Sequence, residues 1–106
     1  MNVDVQYATK EHSHYAQDIC DLIESAAKAR GTGIAKREPD YIHSKIENEQ
    51  AVIAVYAGEL AGFCYIETWE NKKYVVNSGL VVSPKFRNLG LAKKIKKKIL
   101  RKPWHK

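Results

Sequence analysis

The sequence predicts one α/β (α+β) domain, a sheet with flanking helices in the order β-α-α-β-β-β-α. Three observations predict it. Apolar, β-branched runs crowd into residues 51–82, segments with helical spacing precede and follow them, and 106 residues suffice for one modest core.

Taken in order, Val3, Val5 and Tyr7 alternate with Asp4 and Gln6, the period-two pattern of a half-buried strand. Thr9 is placed to cap a helix in which Tyr15, Ile19, Leu22, Ile23 and Ala26 recur at helical spacing, and Gly31 and Gly33 stop it. Pro39 suits the first turn of a shorter helix with Ile42 and Ile46 on one face. AVIAVY (51–56), the turn Ala57-Gly58-Glu59 and LAGFCYIETW (60–69) read as a tight hairpin. A third run, YVVNSGLVV (74–82), contains Gly79, which marks a bulge or a close backbone approach, and Pro84 ends it. From about Asn88, Leu91, Ile95 and Ile99 form the apolar stripe of a last helix, closed by Pro103.

Composition narrows the function classes. Hydrophobic content of 44% and charged content of 28% fit a globular chain, and no apolar run approaches a bilayer span. The start, MNVDVQYATKEH, has no signal-peptide pattern, so a cytoplasmic location and no membrane contact are expected. Cys20 and Cys64 match no zinc or redox spacing and read as buried free thiols. His12, His14, His43 and His105 form no ligand pattern, so no metal is expected and the histidines read as solvated. All twelve acids and only six of the eighteen lysines and arginines lie at or before Glu70; residues 1–70 therefore carry −6 and the remaining 36 carry +12. That polarity points to a polyanionic ligand near the C-terminal part.

The stretch SPKFRNLGLAKK, Ser83 to Lys94, concentrates the chemistry. A strand ending in a Gly-containing turn that feeds a helix presents unpartnered N–H groups and the positive end of the helix dipole, which together hold phosphate. Arg87 offers a bidentate contact, and Lys85 and Lys93 add longer-range attraction. Taken alone, the spacing fits a plain strand-to-helix turn equally well. It is neither a Walker loop nor a dinucleotide fingerprint.

GLVVSPKFRNLGLAKKI resembles motif A of the GNAT acyltransferase superfamily, whose R/Q-x-x-G-x-G/A loop holds the pyrophosphate of acetyl-CoA; Arg87, Gly90 and Ala92 stand in its three places. The order of elements over the whole chain resembles the first part of that fold, which implies a mixed, mostly antiparallel sheet with flanking helices. RGTGIAKREPDYI resembles the corresponding segment of N-acetylglutamate-synthase-type transferases. The resemblance implies that backbone N–H groups of Arg87, Asn88, Leu89, Gly90, Leu91 and Ala92 grip the pyrophosphate. It also implies that strand 74–82 splays at a bulge near Gly79, so that Leu80 and Val82 pair with the pantetheine arm. Acetyl-CoA would be the acyl donor, attacked directly by an unknown primary amine of a small molecule or amino acid, while the Val82 N–H polarises the thioester carbonyl. A general base comes from the middle strands; Glu67 is the best-placed carboxylate, with Tyr65 and Tyr74 as other candidates, against the plain reading of a solvated strand-end glutamate. Arg30, Lys36 and Arg37 would shape the acceptor pocket or form an exposed basic loop.

A complete family member continues with a further β-α-β-β, whereas this sequence ends at RKPWHK. A shortened gene product, a fragment, or a half-domain completed by a second copy across the open sheet would each account for that, the last implying a homodimer. Two other functions stay open: a non-catalytic dimerising module of this fold, and a basic nucleic-acid-binding protein using AKKIKKKILRK. No nucleic-acid motif accompanies that basic helix, and a solvated face is the favoured explanation of its lysines.

Overall fold

The run AVIAVY is apolar at nearly every position because it lies at the centre of the fold with both faces covered. In the computed structural model, which describes residues 3–29, 31, 38–69 and 74–101, it forms β2 (Ala51–Tyr56), and Ala51 to Ala54 are fully shielded from solvent. β1 (Asp4–Tyr7) pairs with one of its edges, β3 (Glu59–Trp69) with the other, and β4 (Tyr74–Val82) follows β3. The order is β1-β2-β3-β4, with every described pair antiparallel. A strand buried on both sides has no need of polar alternation, whereas β1 alternates half-buried and exposed residues.

Helices occupy both faces. α1 (Ala16–Ala29) and α2 (Pro39–Glu47) cover one, where Ile19, Ile42 and Ile46 meet Ala51, Ile53, Phe63 and Tyr65. α3 (Leu91–Arg101) covers the other, where Leu91, Ile95 and Ile99 meet Val52, Ala54, Cys64 and Ile66. The period-two alternation of the strands thus feeds two separate cores from one sheet. Pro39 stands in the first turn of α2, and Gly31, at φ 68°, follows the end of α1. The expectations for Gly33 and Pro103 lie outside the described residues.

The hairpin between β2 and β3 turns through Ala57 (φ 49°) and Gly58 (φ 83°), two successive left-handed residues as a two-residue turn of the primed type requires. Tyr15 fixes its position by donating from its hydroxyl to the Gly58 carbonyl at 2.7 Å. Between β3 and β4 the register slips: Phe63 faces Val81 but Tyr65 faces Ser78, so Gly79 and Leu80 together oppose Cys64. A β-bulge therefore stands where Gly79 marked one.

Three sequence expectations need correction. The first helical segment opens as a 3-10 turn, Lys10–Tyr15, before α1 begins. At three residues per turn His12 and Tyr15 share a side, so His12 is buried rather than solvated, and its Nδ1 accepts the Thr9 N–H at 3.0 Å. α3 starts at Leu91, not near Asn88, because Asn88 and Gly90 are both left-handed, at φ 66° and 71°. Cys20 and Cys64 are buried free thiols, as expected. Among the described residues no His, Cys, Asp and Glu group could hold a metal ion, and no helix is long and apolar enough to cross a membrane.

Candidate functional site

Two buried side chains suspend the basic loop. Phe86, at the end of a short 3-10 turn (Pro84–Phe86), and Leu91, at the start of α3, both enter the core beneath α3. Between them Arg87, Asn88, Leu89 and Gly90 lie exposed. The turn is closed from within by Phe86 N–H donating to Ser83 O at 2.9 Å. Beyond it, the first bond of α3 is donated by Lys94 to Gly90 O at 3.1 Å. Among the described backbone hydrogen bonds, none is donated by Asn88 to Lys93. Those N–H groups gather at the positive end of the α3 dipole, on a backbone bent by two left-handed residues.

The strand leading into the loop offers a second set of polar groups. Ser83 N–H donates to Ala61 O at 2.8 Å, so alternation along β4 turns the N–H and C=O of Val82 away from β3. Among the described strands none pairs with that edge of β4. Leu80 sits in the bulge, and the side chains of Leu80 and Val82 are half-buried against the core beneath α3.

Cations around the loop do not act alike. Lys85 is engaged by Glu59 of the hairpin, with Nζ 3.1 Å from Oε1, an exposed pair that offsets part of the attraction expected of it. Arg87 and Lys93 are exposed and stand in none of the described ion pairs. No described acid pairs with the lysines of α3 either; Lys98 instead lies over the Tyr7 ring, 4.9 Å from its centroid, while Tyr7 donates to Lys98 O at 2.9 Å.

Glu67 belongs to a different cluster, on the face of the sheet covered by α1 and α2. It pairs in register with Val76, three positions along β4 from Gly79 and so about 10 Å from the bulge. Its carboxylate is not free in solvent: Oε1 accepts from the Tyr41 hydroxyl, and Oε2 lies 3.4 Å from Lys45 Nζ. Lys45 is itself buried, donates to Ile66 O at 2.8 Å, and packs over the rings of Tyr41 and Tyr65 at 5.5 and 5.7 Å. Tyr65 is buried and meets Tyr41 edge-on with centroids 5.7 Å apart. The sequence reading missed Tyr41 and Lys45. Their signal was a helix stripe at 41, 42, 45 and 46 in which lysine occupies a core-facing place. The side chain of Tyr74 and residues Arg30, Lys36 and Arg37 lie outside the described residues.

The chain therefore has an exposed cradle of backbone donors at one end of β4, an open strand edge beside it, and a held carboxylate on the opposite face of the sheet. Residues 16–103 match the acetyltransferase (GNAT) family. No curated protein matches the sequence. Solved structures of this fold include N-acetylglutamate synthase from Neisseria gonorrhoeae with coenzyme A and N-acetyl-glutamate, at a TM-score of 0.74 and 21% identity over 94% of this chain and 22% of that one. Diaminobutyrate acetyltransferase from Paenibacillus lautus, with L-2,4-diaminobutyric acid and coenzyme A, gives 0.77 and 14% over 97% of this chain and 59% of that one. A GNAT-family acetyltransferase from Bacillus cereus gives 0.67 and 20% over 94% of this chain and 63% of that one. The chain thus spans less than two thirds of the length of each of these three proteins.

Proposed function

Since the chain belongs to the GNAT acetyltransferase family, we propose that it is an acetyl-CoA-dependent N-acetyltransferase acting on a primary amine of a small molecule or amino acid. The observation that carries this reading is the cradle itself: backbone N–H groups from Asn88 to Lys93 that donate none of the described backbone hydrogen bonds, at the start of a basic helix and directly after a bulged strand whose outer edge no described strand pairs with. The acyl donor's pyrophosphate would lie across Arg87 to Ala92, with the Arg87 guanidinium beside it. Its pantetheine arm would run along β4, pairing with the outward polar groups of Val82 and of Leu80 in the bulge. Two neighbours in fold were solved with coenzyme A and an amino-acid ligand, which favours an amino acid as acceptor.

In the transfer, the neutral amine nitrogen attacks the thioester carbonyl carbon. A C–N bond forms, the C–S bond breaks, and the pair of electrons leaves with the CoA sulfur, which takes a proton from solvent. The acceptor arrives as an ammonium and gives one proton to Glu67 through water before attack, and its nitrogen gives a second to solvent as the amide forms; Glu67 stands at a strand position about 10 Å from the bulge. The Val82 N–H would polarise the carbonyl, leaving the Val82 C=O to pair with the arm.

The buried free thiols of Cys20 and Cys64 fit a reducing, cytoplasmic setting. A second reading, a non-catalytic module that pairs with another copy of itself, draws on the open edge of β4. Thiol release from acetyl-CoA in a mixture of the protein amino acids with L-2,4-diaminobutyrate separates the two: turnover supports the enzyme, whereas CoA-independent dimerisation without turnover supports the module.

A further inference from the structure

We infer that Tyr41 and Lys45 of α2 are positioning residues for the acceptor half of the reaction, holding the Glu67 carboxylate in one orientation with its exposed side left for the incoming ammonium. This rests on the reading of Glu67 as the acceptor-side carboxylate. Lys45 lies on the inward stripe of α2 beside Ile42 and Ile46, both fully buried. Desolvating an ammonium costs several kcal/mol, and a methionine would fill similar space without that cost. What the ammonium contributes is therefore geometry and charge rather than stability.

Its described partners all point one way. Lys45 reaches Ile66 O and Glu67 Oε2 on β3, framed by the rings of Tyr41 and Tyr65. Tyr41, one helical turn earlier, donates to the other carboxylate oxygen. Two donors on two different oxygens remove the rotation that an unpaired glutamate would keep. A carboxylate has about four acceptor positions, and the described contacts take two of them. The Glu67 side chain keeps 28% exposure against 11% for Lys45, so the pair presents its negative member to solvent and shields its positive one. That presentation is on the α1 and α2 face, away from the Phe86 and Leu91 core that carries the anion loop. Acceptor and phosphate would then approach from different sides of the sheet.

The test measures thiol release from acetyl-CoA with the same amino-acid and diaminobutyrate mixture, and CoA affinity by calorimetry, for the wild type, Tyr41→Phe, Lys45→Met, Lys45→Arg, Glu67→Gln and the Lys45→Met/Glu67→Gln double variant. Tyr41→Phe and Lys45→Met are each expected to lower turnover about 10- to 100-fold with CoA affinity within about twofold of wild type. Lys45→Arg should restore part of the loss. Because Lys45 acts through Glu67, the double variant should be no slower than Glu67→Gln alone. Losses that multiply in the double variant, or wild-type turnover in both single variants, overturn the inference. If Lys45→Met does not fold, Tyr41→Phe decides, since it removes only a hydroxyl. A wild type that binds CoA but turns nothing over also overturns it, while a wild type that fails to bind CoA removes the enzymatic reading as well.

Discussion

Gly62 of β3 and Ile95 of α3 are in such close apposition that a β-carbon at residue 62 would stand 2.9 Å from Ile95 Cδ1 and 3.1 Å from the Val81 carbonyl oxygen. α3 therefore rests directly on the backbone of β3, and this contact sets where the start of the helix, and with it the anion loop, is held. Gly62→Ala should cost about 1–3 kcal/mol through overpacking. Ile95→Val, which removes the Cδ1 atom, should recover part of that loss in the double variant, and urea unfolding of the four proteins would show the non-additivity. Additive losses would mean that the carbonyl of Val81 is the obstacle instead.

Ala57 holds φ 49° at the hairpin tip, a conformation that disfavours alanine far more than asparagine. Ala57→Asn is expected to raise stability by about 0.5–1 kcal/mol, seen as a higher urea midpoint at unchanged slope. No effect on CoA affinity should accompany it, since Ala57 lies outside the loop and the Glu67 cluster.

Lys93 stands in the first turn of a helix whose described cations find no acid. Lys93→Glu places a negative charge at the positive end of α3 and four residues ahead of Lys97, so the helix should gain about 0.5 kcal/mol. The same change sets a carboxylate beside the proposed pyrophosphate site, and CoA affinity should fall. Thermal melting and calorimetry on one protein would then move in opposite directions.

Burial raises the Cys20 thiol above its ordinary value, with the charges of Asp21 and Glu38 adding to the effect. Above the unfolded thiol's pKa the native state keeps a proton that the unfolded chain releases. Stability is then lost as pH rises through that range. Cys20→Ala should show a flatter decline between neutral pH and about pH 10 than the wild type, measured by urea midpoints. Iodoacetamide should label Cys20 slowly in the native protein and readily in urea.

Much of the fold was legible because its signals are local. AVIAVY announced the first strand of a hairpin, Pro39 a helix start, Gly79 a bulge or close backbone approach, and the spacing of Leu91, Ile95 and Ile99 the buried stripe of α3. His12 was misread because its burial and its bond to the Thr9 N–H come from how the 3-10 turn packs, which the spacing of histidines does not show. The start of α3 was misplaced because left-handed asparagine is not visible in a pattern of apolar residues. Tyr41, Lys45 and Glu67 were not assembled because their meeting depends on how α2 lies across β3, between residues 22 and 26 positions apart. The loop was legible as residues, but its meaning depended on N–H groups that donate none of the described backbone bonds, which only the turn's geometry reveals.

The central claim is that Arg87 to Ala92 form a pyrophosphate cradle, and CoA titration by calorimetry of the wild type and Gly90→Val tests it most directly. Gly90 has φ 71° with open space around it, so valine strains the loop backbone without a clash in the core. Saturable binding at about 1 mM or tighter, weakened at least about tenfold in Gly90→Val while the fold persists, is the expected result. Absence of CoA binding by the wild type, or equal binding by both proteins, would contradict the cradle.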